Sequence, residues 1–345
     1  MKTVLVCEAQ VPFVQGGAEL LVRGLVGQLR KHGYRAERVS VPFKWYPKDE
    51  LLTSAAAWRM IDLSESNGVR IDAVIATKFP TYFVRHPHKV TWLFHHYRAI
   101  YDLFGTPYSE FDHTERDVRL RDRLIALDNE VLGESARLFA IARNTASRLQ
   151  RYNGLTAETL YHPPPLAERL HAGPFGDYVL SVGRLEANKR VDLIIRALVH
   201  APTLRLIIVG DGPLRGQLEK TAAELGVTDR VHWTGPVDEE TLVSLYAGAL
   251  AVVFPPFDED YGYVTLEAFL ARKPVVTTTD AGGPLEFVEH GVTGLVCEPT
   301  PPAIADAMSR LRGDHALVRS LGDAGYDRVR PITWEHAVDR LMANG

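Results

Sequence analysis

Short apolar runs alternate with stretches of helical periodicity twice along this chain, and that doubled alternation constrains the fold more than any other feature. In the first series, residues 1–7, 36–41, 71–76, 89–94 and 138–141 read as strands, and helices are predicted over 20–33, 52–68, 112–132 and 144–152. Within the first helix Leu20, Leu21, Leu25, Val26 and Leu29 recur at helical spacing up to Gly33. The run His162-Pro163-Pro164-Pro165 then interrupts regular structure, because consecutive prolines offer no N–H donors, and 172–176 reads as a linker. A second series opens at Tyr178 to Arg184, with further strands at 205–209, 231–233, 250–254, 274–278 and 294–297. Helices are predicted between them over 191–199, 214–225, 239–249 and 264–272, and 302–311 ends the series. Strands separated by helices pair in parallel, with helices on both faces of the sheet. At 345 residues the chain also exceeds one ordinary core, so two such α/β domains are expected.

Composition excludes several classes. No run of about 18 apolar residues is present, so no membrane-spanning helix is expected. The N-terminus reads as a first strand and lacks the length and cleavage site of a signal peptide. The 2 cysteines, Cys7 and Cys297, form neither a disulfide framework nor a metal spacing, which suits a reducing cytoplasm. The net charge of −4 is unevenly spread: residues 1–170 carry 23 Lys+Arg against 19 Asp+Glu, leaving the rest acidic. A basic first half suits an anionic partner, although compositional drift gives the same imbalance.

Ligands of open α/β sheets bind just past the carboxyl ends of the strands, so the loops there carry the functional candidates. After the first strand, residues 11–19 place Gly16-Gly17 at a helix start, where backbone can approach a phosphate, or where a simple turn occurs. After strand 89–94 come His95-His96-Tyr97-Arg98, either a polar binding loop or a surface loop. The Arg-rich helix at 112–132 reads as a solvated face or as the lining of an acceptor cleft. Gly210-Asp211-Gly212-Pro213 invites a dinucleotide reading, but the next glycine, Gly216, falls one residue late and no acid follows in the right context. The densest candidate is Asp258 to Glu267. Here Asp258, Glu259, Asp260 and Gly262 lie where a buried strand hands over to a helix N-terminus, with Glu267 a turn into the helix, an anion site in waiting or an acidic loop with a cap.

Several of these pieces together resemble the family 4 glycosyltransferases. They are Gly16-Gly17-Ala18-Glu19, Val182-Gly183-Arg184-Leu185 with Lys189, Val209-Gly210-Asp211-Gly212-Pro213, and Gly235 followed by Leu245-Tyr246. Glu259-Asp260-Tyr261-Gly262 through Glu267-Ala268, and Gly282-Gly283-Pro284 with Glu286, complete the set. The resemblance spans nearly the whole chain and is densest over 178–299. It implies a GT-B architecture: two Rossmann-like parallel-sheet domains, 1–172 on the acceptor side and 173–329 binding the donor, facing across a cleft. A C-terminal helix within 330–345 would cross back to the first. It further implies that Arg184 and Lys189 hold the donor diphosphate, helped by Gly262, Tyr263, Val264 and Thr265 at the helix start. Glu267 would bind ribose, Glu259 the transferred sugar, and Trp233, Gly235 and Pro236 the base. Gly16 and Gly17 would approach the phosphate from the first domain, and His95 would sit near sugar and acceptor.

The activity implied is retaining transfer of a hexosyl group from a nucleoside-diphosphate sugar to a glycan or lipid-linked hydroxyl, with no cofactor, no metal and no nucleic-acid partner. An Arg–Lys pair can offset the charge on a leaving diphosphate. The chain departs from the family in carrying His162-Pro163-Pro164-Pro165 near the interdomain turn, a feature of some mannosyl-type relatives that favours GDP-mannose slightly over UDP-linked donors. It also departs at Tyr261, in place of a usual phenylalanine, and at Arg272-Lys273-Pro274, where a glycine often stands. Two other readings stay open: a nucleotide-sugar 2-epimerase on the same fold, and a binding protein that has lost turnover. The basic first half and lipid-linked acceptors of relatives imply a cytoplasmic enzyme with peripheral contact at the inner membrane face, without a clear amphipathic anchor.

Overall fold

The computed structural model describes residues 1–13 and 16–343. The chain divides into two compact units, Met1–Pro165 with Thr333–Gly345, and Leu166–Ile332. Val14 and Gln15 of the glycine loop lie outside the described residues.

Unit 1 opens with β1 (Thr3–Gln10), α1 (Gly17–Lys31), β2 (Arg35–Pro42) and α2 (Glu50–Met60). A small hairpin of β3 (Glu65–Ser66) and β4 (Val69–Arg70) precedes β5 (Ala73–Ala76) and β6 (Lys89–Leu93). Then follow α3 (Glu115–Gly133), β7 (Arg137–Ala140), α4 (Arg143–Asn153) and β8 (Glu158–Thr159). The sheet order is β2-β1-β5-β6-β7-β8, and every pairing is parallel. Burial follows position. Central β6 is buried at every residue, as a strand covered on both faces must be, whereas edge strand β2 is exposed at five of its eight positions.

Two expectations fail here. The helix predicted over 52–68 stops at Met60, because Asn67 and Gly68, both at positive φ, turn a hairpin instead. Asn-Gly is the dipeptide that two-residue hairpin turns prefer, and it outweighs the apolar periodicity upstream. In α1, Leu20 is 41% exposed and Val22 takes the buried position beside Leu21, Leu25 and Leu29.

Unit 2 runs β9 (Tyr178–Val182), α5 (Val191–Ala197), β10 (Arg205–Val209), α6 (Arg215–Glu224), β11 (Val231–Gly235) and α7 (Glu239–Gly248). It continues through β12 (Ala251–Val253), α8 (Tyr263–Leu270), β13 (Val275–Thr278), β14 (Gly294–Cys297), α9 (Pro301–Gly313) and α10 (His315–Val329). The order is β11-β10-β9-β12-β13-β14, again parallel throughout. The sequence reading has no counterpart for α10. Its apolar repeat is broken by Gly322 and Gly325, and both face backbone or rings of the α8 region, where a side chain would collide.

The last helix, α11 (Trp334–Met342), belongs to unit 1. Trp334 stacks on the buried His162 ring at 5.9 Å and meets Trp92 edge-on at 6.4 Å. Arg340 grips Glu158 through two hydrogen bonds of 2.9 and 2.6 Å, and Arg137 donates to the Arg340 carbonyl at 2.7 Å. Among the described residues no helix is long and apolar enough to cross a membrane.

Candidate active site

In unit 2 the chain lays β10 and β11 on one side of β9 and β12 to β14 on the other. The loops that follow β9 and β12 therefore leave the carboxyl edge side by side, at the switch point where open α/β sheets form a crevice. Lys189 comes from the first loop and Glu259 from the second, and their Nζ and Oε2 atoms are in direct contact. Each side chain is about one-fifth exposed, at 20% and 19%. The Phe254 ring lies 5.8 Å from the ammonium, and the Phe257 N–H donates to the Asn188 carbonyl at 2.7 Å, so the two loops are joined directly.

The second loop ends at the N-terminus of α8. Gly262 enters it at φ 82°, a left-handed backbone that excludes most side chains, and a Cβ there would press on Phe254 and Pro284 at 3.1 Å. Beyond it, Tyr263 and Val264 begin the helix, whose first N–H groups and positive dipole end favour an anion. Thr265 is fully buried, and its Oγ1 has no hydrogen-bond partner among the described residues. Two residues further, Glu267 is buried and accepts a 2.6 Å hydrogen bond from the Tyr246 hydroxyl on α7. Burial pushes its carboxyl above the usual range, and the Tyr246 bond only partly offsets this. The loop after β9 thus brings a cation to a short stretch that presents helix donors, an orphaned hydroxyl and two carboxylates.

The other predicted residues of unit 2 have their own local partners. Arg184, half-exposed, pairs with Glu186 on its own loop at 2.6 Å. Gly235 ends edge strand β11, and its carbonyl accepts from the Gly210 N–H at 3.0 Å, with Pro236 exposed beyond it. Trp233 lies within β11, partly packed against the unit's core. The Gly210 turn is explained without a dinucleotide: a Cβ on Gly210 would fall 2.1 Å from the Gly183 carbonyl oxygen, so glycine lets two loops touch.

In unit 1 the switch point lies between β1 and β5. Gly16 caps α1, and its N–H donates to Glu19 Oε2 at 2.9 Å, while Lys78 Nζ, just past β5, donates to Glu19 Oε1 at 2.7 Å. Burial raises the Glu19 carboxyl, but Lys78 and the Gly16 N–H more than offset it and hold it below the usual range. The start of the Gly16-Gly17 helix is thereby pinned to β5. Past β6, His95 is half-buried with Nδ1 2.8 Å from the His96 carbonyl, while His96 turns inward, against Asn153 Oδ1 at 3.0 Å and the Tyr101 ring. Among the described residues no three His, Cys, Asp or Glu side chains gather as a metal group.

Sequence reasoning gave no role to four residues that the structure brings to these edges: Lys78, Tyr246, Arg190 and Asp280. Lys78 and Asp280 each stand just past a parallel strand, the position that marks a candidate, and Arg190 adjoins Lys189. Tyr246 had no local signal as the Glu267 partner, because their contact spans two elements.

Known proteins share the fold, and others part of the sequence. Over 99% of this chain, the sucrose-phosphate synthase of Thermosynechococcus elongatus superposes with a TM-score of 0.76 at 20% identity, covering 97% of that protein. The Anabaena protein HepE, solved in complex with UDP and glucose, gives 0.69 at 18% identity over 96% of this chain and 95% of its own. The two parallel sheets with helices are those of a GT-B fold. In sequence, the D-inositol 3-phosphate glycosyltransferase of Nocardia farcinica is 28% identical over 242 residues, 62% of this chain and 53% of that protein. The chain spans about half or less of the length of the curated relatives it matches. Residues 175–328, nearly all of unit 2, match the family described as glycosyl transferases group 1.

Proposed function

We propose that the chain is a retaining hexosyltransferase that uses a nucleoside-diphosphate sugar and a hydroxyl acceptor in glycan or glycolipid synthesis. The observation that carries this reading is the Lys189–Glu259 contact at the switch point, directly ahead of the α8 N-terminus with buried Glu267 behind it. That order of groups matches the order of a donor. Lys189 and Arg184 meet the diphosphate, with N–H groups near Tyr263 and Val264 and the Thr265 hydroxyl as further donors to it. Glu259 accepts from hydroxyls of the transferred sugar and Glu267 from the ribose, since a diol offers two donors to a carboxylate. Trp233, Gly235 and Pro236 are assigned to the base. In unit 1, Gly16 and Gly17 are assigned to the phosphate and His95 to sugar or acceptor.

The reaction forms a bond from the acceptor oxygen to the anomeric carbon on the face the diphosphate leaves. The carbon–oxygen bond to the diphosphate breaks, and the acceptor proton passes to a diphosphate oxygen. His95 positions rather than deprotonates. The mannosyl donor, GDP-linked, is preferred over UDP-linked sugars on the strength of the proline run at 163–165, and the acceptor is a glycan or lipid-linked hydroxyl met at a membrane surface.

A thermal-shift panel of UDP-, GDP- and ADP-sugars tests the reading, because a ligand of the native state raises the midpoint. Stabilisation by one class, followed by transfer to an acceptor, is expected. Silence across the panel, or conversion of the sugar without any acceptor, overturns it.

A further inference from the structure

Arg190 follows Lys189 and adopts a left-handed backbone, φ 50° and ψ 40°, rare for a residue other than glycine. Lys189 meets Glu259, while Arg190 runs to the base of the same loop. Its Nε donates to the Pro255 carbonyl at 2.8 Å. Its Nη1 donates to Asp280 Oδ2 at 2.8 Å, and its Nη2 reaches Asp280 Oδ1 at 2.6 Å, the Pro256 carbonyl at 2.7 Å and Thr278 Oγ1 at 2.9 Å. One guanidinium therefore joins the loops after β9, β12 and β13.

Backbone bonds complete the clamp. Asp258 N–H donates to the Asp280 carbonyl at 2.9 Å, Glu259 N–H to the Ala281 carbonyl at 2.8 Å, and Gly283 N–H to the Glu259 carbonyl at 2.7 Å. The segment from Pro255 to Asp258 has no regular structure of its own, and Asp258 is itself left-handed at φ 42°. Its proline carbonyls are held by Arg190, whose side chain is only 12% exposed. Burial raises the Asp280 carboxyl, but hydrogen bonds from Arg190 and Thr278 outweigh it and keep it below the ordinary range.

We infer that Arg190, paired with Asp280, is a positioning residue that aims Glu259 at the transferred sugar, an inference that rests on the donor-site reading above. It touches neither nucleotide nor sugar. The nucleoside part is assigned to Glu267 and the base groups, which Arg190 does not contact through the bonds described, so its loss separates two quantities that overall damage would move together.

The test uses the full chain with Arg190→Gln, Arg190→Lys and the near-isosteric Asp280→Asn, which keeps the fold if the arginine variants do not. Calorimetry gives the affinity for the nucleoside diphosphate and for the intact nucleotide-sugar, and kinetics give kcat and KM. Expected is a kcat lower by about ten- to a hundredfold, the scale of small misplacements in a site. Affinity for the nucleoside diphosphate stays within about threefold, and the extra affinity for the nucleotide-sugar is lost. Lysine, a point charge without the fork, fails to rescue. Unchanged kcat, an equal fall in kcat and nucleoside-diphosphate affinity, or full rescue by lysine overturns the inference. Wild-type protein that binds no nucleoside diphosphate sinks the donor-site reading itself, and this inference with it.

Discussion

Glu267 is a buried carboxylate with one clear side-chain partner, the Tyr246 hydroxyl at 2.6 Å. Tyr246→Phe removes that bond and leaves the carboxylate to reorient, so nucleotide affinity should fall by up to about tenfold, the worth of one such hydrogen bond. Glu267→Ala should cost more, since it removes the acceptor itself. Calorimetric titration of both variants with the responding nucleotide checks the ranking, and a Glu267→Ala variant that binds like wild type would remove the ribose assignment. Lys189→Ala should lower the transfer rate by about a hundredfold or more, as loss of a charged donor at a developing oxyanion does. Unaltered transfer by that variant would leave the phosphate without its cation. These residue types were legible in the sequence as a set, because Glu259, Gly262 and Glu267 share one short segment. Tyr246 and Arg190 were not, since each acts on a residue of another element.

At the scale of elements, the start of α8 depends on a glycine. Gly262→Ala places a Cβ at φ 82° and 3.1 Å from Phe254 and Pro284, and should destabilise unit 2 by about 1–3 kcal/mol. Urea unfolding measures this, and nucleotide binding should suffer beyond it because the helix donors shift. A variant of wild-type stability would mean that the turn relaxes freely. Helix periodicity located α1 and α3 well, since each has an amphipathic face and α3 carries a Thr cap at Thr114, whereas α11, capped by Thr333, was expected only from the family resemblance. It overran α2, where Asn67-Gly68 wins locally, and missed α10, whose glycines answer to neighbours in space rather than to a period.

Across the whole molecule, two buried groups in unit 1 should shape stability against pH with opposite signs. His162 is buried between Trp92 and Trp334, and burial drives its pKa down from 6.5 to about 3. Its neutral form is favoured in the fold, so its contribution is complete above pH 6.5 and is lost as pH falls toward 3. Asp128, fully buried and bonded by the Tyr101 hydroxyl at 2.6 Å, has its pKa driven up by burial to about 7. Its protonated form is favoured, so its contribution is complete below the ordinary value of 3.8 and is lost as pH rises through 7. Asp128→Asn should therefore raise the unfolding midpoint at pH 8 but not at pH 4. His162→Gln should flatten the acid limb between pH 6.5 and 4. Denaturant titrations from pH 4 to 8 decide, and parallel curves for wild type and both variants would contradict the assignment.

The sequence by itself determined the class of the molecule. Doubled strand–helix alternation admits little besides two parallel sheets, and side-chain period and turn chemistry act over a few residues, where sequence is direct. It also placed the candidate site, because a strand-to-helix loop brings its carboxylates and helix donors together within one segment. Only the tertiary structure decided which charges meet. Lys189 and Glu259 lie 70 residues apart, and Arg190 and Asp280 lie 90 apart. Their contacts exist because β12 pairs with β9 across the switch point, and strand order is settled by the packing of the whole sheet, which no local pattern encodes.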